Sequence, residues 1–263
     1  MQRERISPMI IVDTHCHAGL NKYEPIETLL YHMEQSGVDW AVLIQHQGTT
    51  DNSYHVECLQ AHPDRFASAM IVESTDDGER MRYWADQGLV GIRLGADSRA
   101  EAPDPLVQWR TAAELNLVVS APSSPSTLLS DRFAEVVQAF PDLQIVIEHL
   151  AGVGTEAVAP YDEFKRVLAL AKHPNLTIKL PGFGEFCNLP YPFEDVPPLA
   201  RMVVEAFGPQ RVMWGSDFPP VSSREGYHRS LQFPLDYFSD LSEEEREWIF
   251  GRTALSVWKF ADS

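Results

Sequence analysis

Short runs of apolar and β-branched residues recur along the chain, each followed by a longer stretch whose apolar positions return every three or four residues. The runs are MIIVDTH near residue 9, WAVLIQH near 40, FASAMIV near 66, GLVGIRL near 88, LNLVVSA near 115, QIVIEHL near 144, NLTIKL near 175 and RVMWGSD near 211. Unbroken apolar runs of this length fit strands covered on both faces, as in a parallel sheet with helices packed outside. The intervening segments, among them PIETLLYHMEQSG, SYHVECLQAHP, DRFAEVVQAF, YDEFKRVLALAKHP and LARMVVEAFG, carry the step of a helix with one apolar stripe. Eight strands, each with room for a helix behind it, in about 250 residues predict an α/β fold of the (β/α)8 kind, a TIM-like barrel forming a single domain over residues 1–263. A doubly wound open sheet is the rival, but no GxGxxG follows the first strand and the count of eight favours the barrel. Two proline-rich patches, APSSPS and NLPYPFEDVPP, read as loops inside that domain.

Composition narrows the function classes. Hydrophobic residues make up 44% of the 263 and charged residues 22%, which fits a globular chain with a sizeable core. The net charge of −17, from 21 basic against 38 acidic residues, argues against nucleic acid and anionic membrane as partners, since both need basic surface. No apolar run approaches the roughly 20 residues that cross a bilayer. The apolar stretch in the opening MQRERISPMIIVD is too short for a signal peptide. Cys16, Cys58 and Cys187 are odd in number and form no CxxC, so a reducing, cytoplasmic location is expected.

In a barrel of this type the chemistry sits at the C-terminal ends of the strands. Those ends carry His15 and His17 on strand one, Gln45 and His46 on strand two, Arg93 on four, Ser120 on five, Glu148 and His149 on six, Lys179 on seven and Asp217 on eight. His15 and His17 are two apart, so both face one side of a strand and form a pair suited to a divalent metal. Cys16 between them points away. Asp217 adds an oxygen ligand or a general base from the strand next to the first. His149 reads as a satisfied core residue, a ligand or an acid, with Glu148 facing the helix layer. Arg93 has two readings, a bidentate grip on a substrate carboxylate or a pair with a carboxylate of the barrel; Lys179 is similar. His46 and Tyr227 are candidate wall residues. His32, His55, His62, His173 and His228 read as surface.

The stretches IIVDTHCH, VLIQ, HPDRF, GIRL, IEHLAG, IKLPGF and RVMWGSDFPP, in that order over essentially the whole chain, resemble the amidohydrolase superfamily. The resemblance is to the amidohydrolase-2 branch, with its sugar lactonases and 2-pyrone-4,6-dicarboxylate lactonase, and to related metal-dependent decarboxylases. It implies a reaction at the barrel mouth with Asp217 handling protons. Metal-holding members usually offer a histidine at the end of strand five. Here LVVSAP places Ser120 there, and a hydroxyl is a poor ligand for zinc or manganese. A divalent metal on His15, His17 and Asp217 and a metal-free site both remain open, because the branch includes enzymes that work without one.

The expected activity is hydrolysis of a small carbonyl compound, a carboxylated or sugar-derived lactone. Asp217 is its general base and acid, His149 a second catalytic group, and Arg93, Lys179, His46, Ser120 and Tyr227 bind substrate. The alternatives are a metal-dependent non-oxidative decarboxylase of an aromatic or muconate-type acid, and a non-catalytic barrel whose metal site has decayed. A homodimer is compatible with the scaffold.

Overall fold

The computed structural model describes residues 9–261. Its eight strands are β1 (Val12–Cys16), β2 (Trp40–Ile44), β3 (Phe66–Met70), β4 (Gly91–Arg93), β5 (Val118–Ala121), β6 (Ile145–Ile147), β7 (Leu176–Leu180) and β8 (Val212–Trp214). They pair in sequence order, every pair parallel. Past the end of β8 the chain closes onto β1: Asp217 N–H donates to the His15 carbonyl and His17 N–H to the Phe218 carbonyl, both at 2.8 Å. Helices between strands wrap the outside, which is the expected TIM-like barrel. Among the described residues no helix is long and apolar enough to cross a membrane.

Alternation along the strands splits the core into two layers. Val12, Val42, Ala67, Val118, Val146 and Met213 form one cluster inside the barrel, while their sequence neighbours, such as Leu43, Val119, Ile145, Ile147 and Ile178, pack outward against the helices. The inner cluster is completed by Ala254, Trp258 and Phe260 from the end of the chain. Trp258 closes the floor so tightly that a Cβ on Gly91 would lie 2.7 Å from its ring and 2.8 Å from the Val118 carbonyl.

One strand breaks the alternation usefully. Between Asp13 and Cys16 the pairing with β2 slips, β1 spending three residues where β2 spends two. A bulge of this kind re-aims the residues beyond it. It places Cys16 in the outer layer, its Sγ on the Val42 carbonyl, and turns His15 and His17 into the barrel. The surface reading fails for His55. It is 1% exposed and lodged between helix and sheet, with Nδ1 2.8 Å from Ser68 Oγ, because the helix Ser53–Ala61 turns it towards β3.

Candidate active site

Above the apolar floor the inward positions become polar. Ser120 follows Val118, Lys179 follows Thr177 on β7, and Arg93 follows Gly91. Glu148 follows Val146, so the expectation that it faces the helices is overturned: inward is its natural parity. Its carboxylate accepts from Arg93 Nη2 at 2.7 Å and Nε at 3.1 Å, and from Ser120 Oγ at 2.7 Å. Lys179 Nζ donates to Ser120 Oγ at 3.0 Å and lies 3.2 Å from His15 Nδ1. Burial pushes the Glu148 carboxyl up, but Arg93 and Lys179 outweigh it and hold it at about 2. Burial also lowers Lys179 to about 8 and His15 well below its ordinary range. His15 is therefore a neutral imidazole.

His149 reaches the mouth by another route. It opens three successive non-glycine residues with positive φ, at 46°, 50° and 65° for His149, Leu150 and Ala151. Such backbone is strained and concentrates at functional sites. The turn brings His149 Nε2 to 3.2 Å from His15 Nε2, with Nδ1 3.1 Å from Glu185 Oε1. Burial disfavours its charged form, yet Glu185 prevails and raises its pKa. Asp217 also has positive φ, at 57°. Its Oδ1 is 3.5 Å from His17 Nε2 and 4.0 Å from His15 Nε2, and its Oδ2 accepts from Arg224 Nη2 at 3.3 Å. Burial would raise its carboxyl; the hydrogen bond with His17 and the charges of His149, His17 and Arg224 bring it to about 2. Asp13 braces the site from behind, accepting from Ser216 Oγ at 2.6 Å and Ser216 N–H at 2.8 Å.

Hydrogen-bond chemistry orients the rings. The Ile44 carbonyl, 2.6 Å from His17 Nδ1, can only accept, so Nδ1 carries a proton and Nε2 is the atom turned to Asp217. A proton on Nε2 makes the 3.5 Å contact with Asp217 Oδ1 a hydrogen bond, and a cation between the two atoms would take that proton's place. The ligand atoms of His15, His17 and Asp217 all lie within 4.8 Å of one another. A donor set of imidazoles and a carboxylate suits zinc. These residues fit a divalent metal, with one opposing contact: a charged Lys179 donating to His15 Nδ1 leaves the proton on the Nε2 that would be a ligand.

A cleft of about 680 Å³ opens over this group, lined among others by His17, Arg93, His149 and Asp217. The residues expected to bind substrate are mostly elsewhere. Lys179 and Ser120 lie beneath it, 1% and 0% exposed. Tyr227 is buried behind the strand end against Trp214 and Phe218, and His46 lines a neighbouring cavity. Arg93 does reach the cleft, but its Nε and Nη2 are held by Glu148 and its Nη1 by the Gln45 carbonyl at 3.3 Å. The pair with a barrel carboxylate, one of its two readings, is formed in the structure. Arg224, Glu185, Lys22 and Tyr23, absent from the sequence reading, also line the cleft. Arg224, Lys22 and Tyr23 come from loops and Glu185 from the single 3-10 turn Phe183–Glu185, where no periodicity marks them.

The Amidohydrolase family model matches residues 12–260. The chain belongs to the amidohydrolase family, a family of hydrolases. It is 27% identical to the L-fucono-1,5-lactonase of Burkholderia ambifaria, over 94% of this chain and 95% of that one. It is 23% identical to the 4-sulfomuconolactone hydrolase of Hydrogenophaga intermedia, over 71% of this chain but 60% of that relative's length. An amidohydrolase from Burkholderia multivorans, solved with bound zinc, shares the fold at a TM-score of 0.75 and 18% identity, over 94% of this chain and 98% of that one.

Proposed function

We propose that this amidohydrolase opens a lactone, adding water across its ester bond to give a hydroxy acid. The observation that carries the reading is the meeting of His15, His17, His149 and Asp217, from three separate strand ends, with the last three lining one cleft and His15 directly beneath them. The curated lactone hydrolases that the chain resembles support it.

Asp217, ionised throughout the physiological range, accepts the proton of a water as the water oxygen attacks the lactone carbonyl. Its positive-φ turn and its hydrogen bond from Arg224 fix the carboxylate. Charge then gathers on the carbonyl oxygen, and the Nε2 edge of His149, which lines the cleft, is placed to donate to it, with His15 packed behind. As the ring C–O bond breaks, the leaving oxygen takes a proton from His149, whose raised pKa suits it to be the acid. Asp217 returns its proton to His149 and the cycle closes. A divalent metal on His15, His17 and Asp217 would supply polarisation of the same carbonyl.

The test is proton release from a panel of lactones, with and without a carboxylate, by the purified chain and by Asp217→Asn. Turnover should fall at least about 10³-fold in the variant, the circular dichroism and melting temperature staying within the ordinary range for a surface change. Silence across the whole panel, or near-normal turnover by Asp217→Asn, would overturn the reading.

A further inference from the structure

The cations of the cleft differ in what they already hold. Arg93 has its nitrogens on Glu148 and Gln45. Arg224 Nη2 is shared between Glu185 and Asp217, at 3.2 and 3.3 Å. Lys22 is different. Among the described residues no carboxylate pairs with its Nζ, and its one hydrogen bond, to the Gln47 carbonyl, is long at 3.5 Å.

Beside it stands Tyr23, a non-glycine residue at φ 73°. Strain of this kind persists where the surroundings over-determine it. The loop is held shut by Gly19 N–H donating to the Glu24 carbonyl at 2.9 Å, and a Cβ on Gly19 would collide with the Lys22 carbonyl. Tyr23 is stacked on His17 at 4.9 Å and 13° and carries Lys22 Nζ 5.1 Å from its ring centre. Its hydroxyl has no hydrogen-bond partner among the described residues. Two donors without a carboxylate partner among the described residues, an ammonium and a phenol, thus sit on adjacent residues lining the cleft that holds Asp217. Lys22 also lines a second cavity of about 370 Å³ walled by Asn21, Gln45, His46, Thr49 and Asp51, so the two spaces meet at its side chain.

We propose that Lys22 and the Tyr23 hydroxyl form a carboxylate-binding subsite at the rim of the cleft. It selects lactones carrying a carboxylate remote from the scissile carbonyl and fixes that end while the ring lies over His17 and Asp217. The subsite takes the place that sequence reading assigned to Arg93 and Lys179, both already committed below. Its choice of lactone rests on the lactonase reading.

The experiment compares muconolactone, an acid, with its uncharged methyl ester. The ratio of their kcat/KM values is measured for the unaltered chain, Lys22→Met, Lys22→Arg and Tyr23→Phe. Loss of a charge-assisted bond should lower the acid-to-ester ratio about 10- to 100-fold in Lys22→Met, through KM of the acid. Lys22→Arg should restore most of it, and Tyr23→Phe should lower it by a smaller factor. An unchanged ratio in Lys22→Met overturns the proposal. A second arm measures equilibrium binding of muconolactone by calorimetry in Asp217→Asn, with and without Lys22→Met, where turnover plays no part. Binding that weakens at least about tenfold with Lys22→Met, in a chain that hydrolyses neither compound, keeps the subsite and removes the lactonase. Hydrolysis with a Lys22-independent ratio does the reverse. Neither binding nor turnover of either compound overturns both.

Discussion

Arg93 and Glu148 illustrate how a residue's meaning depends on what lies across the barrel. An arginine at a strand end is a reasonable carboxylate receptor, and the cleft does touch it. Its fork, however, already closes on a carboxylate that is 1% exposed. Removing one partner of a buried pair costs about 3–5 kcal/mol, because the other charge stays behind. Arg93→Met should therefore destabilise the chain by about that amount at pH 7, and Arg93→Met with Glu148→Gln should recover part of it. The pH dependence has a definite sign. Glu148 has a folded pKa of about 2, below the ordinary 4.5 of a glutamate carboxyl, so its contribution is present above pH 4.5 and lost as pH falls towards 2. With Arg93 gone the carboxyl titrates higher, and the gap between variant and parent should narrow in acid. Urea unfolding at pH 7 and pH 4 measures both. A stable Arg93→Met that loses only affinity for anionic ligands would return Arg93 to the substrate.

At the scale of elements, all eight strands and their order were legible, because a parallel sheet under a helix layer demands unbroken apolar runs. The pair His15 and His17 was legible as well, since alternation survives on the far side of the bulge. Alternation counted from His149 puts Glu148 on the wrong face. His149 lies in a left-handed turn outside β6, where strand parity no longer applies. Glu185 and Arg224 lie in the segments that follow β7 and β8, and nothing in one dimension shows that they meet His149 and Asp217. The floor was equally hidden: a tryptophan near the end of a chain carries no mark of plugging a barrel. Trp258 is 1% exposed, packs inside the strands and lies 5.5 Å below Lys179 Nζ, which gains a cation–π contact. Trp258→Ala should cost about 3–5 kcal/mol, as for other large-to-small core changes, and Trp258→Phe distinctly less. Equilibrium denaturation decides it; a loss below about 1 kcal/mol would mean the floor is held by other residues.

For the molecule as a whole, the net charge of −17 sets a problem that an anionic substrate must overcome. The acidic residues are spread over the entire chain, whereas Lys22, Arg93 and Arg224 are gathered at one cleft, whose own carboxylates, Asp217 and Glu185, are paired with Arg224 and His149. Salt separates the two fields by range. At 0.01 M ionic strength the screening length is about 30 Å, so distant carboxylates still repel an approaching anion. At 0.15 M it is about 8 Å, and an anion at the rim feels mainly the cations beside it. The kcat/KM for muconolactone, divided by that for its uncharged ester, should therefore rise as ionic strength goes from 0.01 to 0.15 M. It should fall again towards 1 M, where the length is about 3 Å and even the rim is screened. A steered enzyme with a dominant positive field would instead lose rate from the lowest salt upward. A ratio falling monotonically with salt would show that the mouth, not the whole surface, governs the encounter.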